Sequence, residues 1–371
     1  MKNSIFLPFF CILPCFLKLA SGQNDFSDCG NFSKLQKHSK AKKAISDPKC
    51  VFQIGNLTSK SIGSFPKKCS KVCSKIYIDE TSQLSAAQLK SAFKDMKILS
   101  GRLEIVHTTF KNLSFLAGLQ TVEANAFGVD ISGNPGLEEL GLTNLTSISG
   151  IFFVTMNPKL KRLKLPSLKN AQLHSPYTMT PAVSVSFNSP QFCLTLQEAK
   201  ILLNHRKINS FVFFSKVCKP GNPTKKNCVV PKIGCENLVG DLKIGPKFDF
   251  KKVKTLKFLY GSLIVKNSSL TDFKVFENLM EIVQMNSTKL AIDVQDNKNL
   301  QSAMFPKLRR IYTDHMIGVL FKSNHNSLKF DFKSCFSIRN AVNGPDNHFS
   351  TLFDDLSCED MEKLKKPNGG R

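Results

Sequence analysis

The sequence contains no tryptophan and only 4 tyrosines, against 31 phenylalanines. Without Trp, an indole-lined sugar or cation cage is disfavoured. Acid is scarce as well: 28 Asp+Glu face 52 Lys+Arg, for a net charge of +24. G-x-S-x-G, H-E-x-x-H and Walker-type motifs are all missing. The histidines (His38, His107, His174, His205, His315, His325 and His348) are scattered, and none adjoins an acid or nucleophile motif. Neighbouring carboxylates such as Glu138 and Glu139, or Asp354 and Asp355, read as solvated surface. These gaps argue against an enzyme, and no cofactor or metal site is expected. Beyond the N-terminus no stretch approaches 18 uncharged apolar residues, the shortest run read as a membrane span. The tail from Glu359 to Arg371 is polar, without the apolar end of a lipid-anchor signal.

What is present begins with residues 1–22, MKNSIFLPFFCILPCFLKLASG. Lys2 is a positive start, Ile5 to Leu17 an apolar core, and Ala20 to Gly22 a small-residue cleavage region. This pattern predicts a secretory signal peptide, and Pro8 and Pro14 argue against a buried helix. Cleavage would remove Lys2 and Lys18, and would leave 10 of the 12 cysteines. An even number of cysteines in an exported chain fits five disulfides. Six acceptor sequons, at Asn31, Asn56, Asn112, Asn144, Asn267 and Asn286, suit a glycoprotein. The chain is therefore expected to be secreted and extracellular.

The 371 residues, 42% of them hydrophobic, suffice for about two domains. An internal repeat supports that number. GRLEIVHTTFKNLSFLAGLQTV from Gly101 matches GSLIVKNSSLTDFKVFENLMEI from Gly261, an offset of 160. GVDISGNPGL from Gly128 then matches AIDVQDNKNL from Ala291, and the rung from Gly150 matches the one from Gly318. Each rung has an alternating strand, then Asn, then Leu. A 20–50-residue period marks stacked rungs, each burying an apolar face that it could not bury alone. The expected fold is mainly β: two tandem short right-handed β-solenoids, leucine-rich-repeat-like, with short capping helices. The turn asparagines Asn134, Asn157, Asn297 and Asn324 are expected to stack, bonding turn amides and tolerating a left-handed backbone. Thr195 and Glu198 form a capping box before an apolar-periodic segment, and Ser85 to Asp95 also reads as helix. The corresponding segment of the second half, KFDFKKVKTLKF, is less clearly helical.

Cysteines bracket both halves. Cys193 and Cys218 lie 25 apart, and Cys335 and Cys358 lie 23 apart. Equal placing implies one capping disulfide in each half. Cys69 and Cys235 stand at equivalent openings, with Cys50 and Cys228 as the expected partners, and elimination pairs Cys29 with Cys73. Zinc at Cys69-x3-Cys73 is disfavoured, because a second close pair is missing and the compartment is oxidising.

The C-x4-G-x-L-x-I stretch from Cys235 to Ile244, the rungs, the Asn turns and the closing cysteine pairs together resemble the receptor L domain. That domain occurs in pairs in the insulin and epidermal growth factor receptors. Two copies without a kinase look most like the secreted or membrane-tethered L-domain proteins expanded in nematodes. The boundaries read as signal peptide 1–22, basic leader 23–49, first L domain 50–218, linker 219–227, second L domain 228–358 and polar tail 359–371. The receptors separate their two domains by a long cysteine-rich module, whereas only KPGNPTKKN does so here.

Between the inward positions of each rung lies an outward column. It comprises Glu104, Asp130 and Phe153 in the first half, and Ile264, Asp293 and Leu320 in the second. The resemblance implies that such a face holds an extracellular peptide or protein ligand of insulin or growth-factor type, a soluble decoy being one form of this function. The alternative is a basic matrix or sulfated-glycan-binding protein, with Lys251, Lys252, Lys254 and Lys257 as its cations. Outside the cell the abundant polyanions are sulfated glycans and anionic membrane surfaces, so nucleic acid is not an expected partner. A carbohydrate-active enzyme would need clustered outward acids on neighbouring rungs, and Glu104 with Asp130 are too few.

Overall fold

The structure, a computed structural model, describes residues 47–53, 55–176, 180–203, 211–213, 215–313, 315, 317–343 and 351–364. The expected signal peptide, most of the basic leader, Cys29 and Asn31 lie outside them.

The chain is mainly β, and its strand ladders run parallel. In the first half, one sheet of nine strands contains β1 (Val51–Phe52), β2 (Lys71–Ile78), β3 (Ile98–Val106), β4 (Thr121–Glu123), β5 (Phe127–Ser132), β6 (Ser147–Thr155), β7 (Asn170–Leu173), β8 (Val183–Ser186) and β9 (Phe211–Phe213). The long strands β3 and β6 serve two ladders. The start of β3 pairs β4 and its end pairs β5, while β6 pairs β7 and then β8.

The second half splits the same plan into two sheets. Six strands form one: β10 (Asn227–Cys228), β11 (Asn237–Val239), β13 (Phe258–Tyr260), β15 (Glu281–Gln284), β17 (Arg310–Thr313) and β19 (Val342–Asn343). Five form the other: β12 (Leu242–Ile244), β14 (Leu263–Lys266), β16 (Ile292–Gln295), β18 (Val319–Lys322) and β20 (Thr351–Phe353). The bend between the two ladders falls at corresponding glycines. Gly101, inside β3, has φ +133°, and a Cβ there would meet the Ser74 carbonyl oxygen at 2.1 Å. Gly261, between β13 and β14, has φ +155°, and its Cβ would meet the Gly240 oxygen at 2.5 Å. Only glycine combines that backbone with so close an approach.

Alternation explains the core. Leu103, Ile105, Val129, Ile131, Phe152 and Val154 are buried on one side of the first sheet. Leu263, Val265, Ile292, Val294, Val319 and Phe321 repeat the pattern, and Phe321 stacks on Phe353 with ring centroids 4.1 Å apart.

The rung turns carry two side-chain ladders. Thr108 donates its backbone NH to Asn134 Oδ1 at 2.9 Å. Asn134 Nδ2 donates to Asn157 Oδ1, and Asn157 Nδ2 to Asn188 Oδ1, each at 3.1 Å. In the second half Ser268 donates to Asn297 Oδ1 at 2.8 Å, and Asn297 Nδ2 to Asn324 Oδ1 at 2.9 Å. Asn134, Asn157 and Asn297 are each 0% exposed, so every bond replaces one that water cannot supply. One expectation needs correction: the left-handed residue is the one before each asparagine. Gly133, Met156, Asp296, Ser323 and, before Thr108, His107 have φ between +55° and +68°, while Asn267 before Ser268 and Phe187 before Asn188 stand at +49° and +53°. The preceding residue turns the chain, which frees the asparagine to aim its amide along the stack.

Helices occur where the capping boxes stand. Ser85 caps Ala86–Phe93, and Thr195 caps Leu196–Leu202. In the second half, KFDFKKVKTLKF makes only a 3-10 turn, Phe250–Lys252. Two further helices, Phe332–Ala341 and Cys358–Lys363, close that half. Disulfides join Cys50 to Cys69, Cys193 to Cys218, Cys228 to Cys235, and Cys335 to Cys358. Cys69 is thereby removed from any zinc site. Cys73 is also disulfide-bonded, but the pairing with Cys29 lies outside the described residues. Among the described residues no helix is long and apolar enough to cross a membrane.

Candidate functional site

Parallel register turns the outward positions into rows. In the first half Tyr77, Glu104, Asp130, Phe153 and Ser184 are successive partners across β2, β3, β5, β6 and β8. In the second half Lys243, Ile264, Asp293, Leu320 and Leu352 follow one another across β12, β14, β16, β18 and β20. The six residues of the expected column thus lie three and three in adjacent register.

The two rows differ in access. Ile264, Asp293, Leu320 and Leu352 are all half-buried, and so presentable. Asp293 is pinned by Lys266 at 3.1 Å and by the Gln295 amide at 2.7 Å. On the first row Glu104 and Phe153 are half-buried, but Asp130 is only 2% exposed. Its expected role as an open outward contact therefore needs correction. The Arg102 guanidinium lies 2.9 Å from Glu104 and 3.7 Å from Asp130, and stacks over Phe127 at 4.4 Å. Ser132 donates to Asp130 Oδ1, while Asp130 Oδ2 has no hydrogen-bond partner. Burial raises both carboxyl pKa values, and Arg102 only partly opposes the shift. Sequence alternation set Asp130 between the inward Val129 and Ile131, but could not show that Arg102 reaches it and leaves it buried.

The lysine cluster is also divided. Lys251, Lys252 and Lys254 are exposed, whereas Lys257 pairs with Glu236 at 3.1 Å and is not a free cation. Of the sequons described, Asn56, Asn144, Asn267 and Asn286 are exposed and Asn112 is half-buried. The Asn144 amide is already donated to the Ala117 carbonyl at 2.9 Å.

The outer face of the six-stranded sheet was missed by sequence reading, and it is covered. Val239, Tyr260, Val283, Met285 and Tyr312 join the apolar cluster of the first half. Arg310 donates to the Leu203 carbonyl at 3.4 Å, Tyr312 donates to the same oxygen, and Lys200 sits 5.2 Å over the Phe258 ring. Strand register puts Val239, Tyr260, Val283 and Tyr312 in one row, opposite the Leu238, Leu259, Ile282 and Ile311 row that packs in the second half's own core, and tertiary contact supplies what they face. Two clefts flank the junction, of about 300 and 780 Å³, and Asn286 lines the larger.

The family model of the receptor L domain matches residues 68–160 and 234–338, one match in each half. No curated protein matches the chain.

Proposed function

The chain belongs to the receptor L domain family, and from that premise we propose that it is a secreted, non-catalytic binder of an extracellular peptide ligand of the insulin or growth-factor type. We read each half as a short right-handed β-solenoid whose open strand face is the contact surface. The observation that carries this is the second-half row, where half-buried Ile264, Leu320 and Leu352 stand side by side across three parallel ladders with Asp293 among them. A half-exposed aliphatic row with one fixed charge suits a polypeptide partner, because it offers both apolar area and a polar registration point. Half-buried Phe153 and Glu104, which flank the buried Asp130 in register, extend the same logic to the first half. Disulfides at both ends of each half fit an oxidising compartment.

The test is retention of insulin-like and growth-factor-like peptides by the purified chain at physiological and high salt. Saturable retention at both salts, lost in Leu320→Lys and Phe153→Lys variants that melt normally, supports the reading. Retention unaffected by either variant removes these faces from it.

A second reading, capture of sulfated glycans, is favoured by exposed Lys251, Lys252 and Lys254, which have no carboxylate within ion-pair distance among the described residues. It predicts heparin retention that falls when these three are neutralised.

A further inference from the structure

The smaller cleft between the halves has a charge imbalance that the fold does not require. It is walled by Lys169 and Lys200 from the first half, and by Phe258, Glu281, Arg309 and Arg310 from the second. Four cations thus surround one carboxylate. Glu281 is already committed to the second half's own arginines, with Arg309 at 3.1 Å and Arg310 on the same oxygen. Lys169 and Lys200 have no ion-pair partner among the described residues. Confining like charges around a concave site raises the local potential and favours an anion there.

Lys200 gives a second sign. Its ammonium lies against the Phe258 ring at 5.2 Å, and loss of hydration there lowers its pKa. Glu236 and Glu281 only partly restore the charge. An anion in the cleft would supply the missing compensation.

The cleft's volume of about 300 Å³ restricts the occupant. That is the lower end of the range for small-molecule sites, enough for a saccharide unit or two. A folded peptide hormone does not fit. The cations come from both halves, so a ligand here would bridge them.

We propose that this interdomain cleft binds a sulfate ester of a saccharide, held between Lys169 and Lys200 on one side and Arg310 on the other. The inference takes its ligand class from the polyanion reading and moves the specific contact from the exposed 251–254 surface to the junction. It does not depend on peptide binding. Arg310 uses three of its five N–H groups on Glu281 and the Leu203 carbonyl, which leaves two for an oxyanion, and the two lysines add point charges that can adjust to the ester's position. The exposed lysines of the 3-10 turn, by comparison, line neither cleft.

The experiment titrates the full chain with a sulfated heparin disaccharide, its unsulfated counterpart and inorganic sulfate at physiological ionic strength. Lys169→Gln with Lys200→Gln changes exposed side chains only, and thermal melting checks that the fold is kept. The proposal expects wild type to bind the sulfated disaccharide and not the unsulfated one, with sulfate competing. It expects the Lys169/Lys200 variant to lose at least about tenfold in affinity. A Lys251, Lys252 and Lys254 to Gln variant should lose less than about threefold, because these residues do not line the cleft, and Lys200→Arg should bind like wild type. Failure of wild type to bind the disaccharide overturns the proposal, as does equal binding of the unsulfated sugar. Long heparin retained equally by the wild type and the Lys169/Lys200 variant leaves the polyanion reading standing and overturns this site.

Discussion

Tyr312, on the outer face of the second half, donates its hydroxyl to the carbonyl oxygen of Leu203, the residue that caps the last helix of the first half. One hydrogen bond across 109 positions of sequence thus ties the end of one half to the sheet of the other. Arg310 reaches the same oxygen from the neighbouring row at 3.4 Å.

Tyr312→Phe should therefore keep the apolar packing and lose only the hydroxyl's contribution, about 1 kcal/mol. Tyr312→Ala also opens the cluster shared with Tyr260 and Val283, and should cost several times more, roughly 3–5 kcal/mol. Urea unfolding of both variants measures the difference. Equal losses would mean that the junction's apolar contact adds nothing.

Asn157 is the middle of its ladder. It accepts from Asn134 and donates to the Ile131 and Thr155 carbonyls and to Asn188. Asn157→Ala leaves several buried groups unpaired and should cost about 2–4 kcal/mol. Asn188→Ala, at the partly buried end, should cost less. A reversed order in thermal melts would contradict the ladder as a stabilising device.

Gly101→Ala places a Cβ against the Ser74 carbonyl at a positive φ. The expected loss is at least about 2 kcal/mol. Gly63→Ala, with nothing within 4 Å of its added Cβ, should stay within about 0.5 kcal/mol of wild type. Matched denaturation curves decide between them.

Asp130 and Glu104 have pKa values raised by burial, so the folded chain holds these protons to higher pH than the unfolded chain does. Their stabilising share is fully present below the ordinary carboxylate range near pH 4, and it is lost as pH rises through the raised folded values. Asp130→Asn removes one of these titrations. The variant should gain stability relative to wild type as pH climbs from about 4 toward neutrality. Urea midpoints across that range test it, and a pH-independent difference would contradict the assigned direction.

The Cys193–Cys218 bridge closes 25 residues and the Cys228–Cys235 bridge closes 7. On loop-closure entropy, removing the first by paired Cys→Ser changes should cost about 1 kcal/mol more than removing the second. Calorimetry of the two double variants gives the comparison.

Much of this was legible from residue order. The 160-residue offset, the alternation of Val129 and Ile131 about Asp130, and the recurring asparagines are local patterns, and local patterns decide strand faces and turns. The capping box at Thr195 and the helical reading of Ser85 to Asp95 placed two helices for the same reason, and the structure adds a capping box at Ser85. The helix Phe332–Ala341 was not anticipated. Its cap, Asp331, is also committed through its other oxygen to Ser302 and Ala303 of an earlier rung. That tie depends on contact, not on spacing.

The sequence by itself determined the duplication, the parallel rung plan with its inward and outward positions, and the family, because each rests on short-range periodicity repeated in register. Tertiary structure alone decided which outward residues face solvent. Arg102, stacked on Phe127, reaches the buried Asp130, Glu236 takes Lys257, and the first half covers Tyr260 and Tyr312. Burial of an outward side chain depends on what arrives from another rung or the other half, and no periodicity encodes that arrival. The junction follows from the same cause: the orientation of the two halves is set by the surfaces that happen to fit, and with it the charge left unpaired between them.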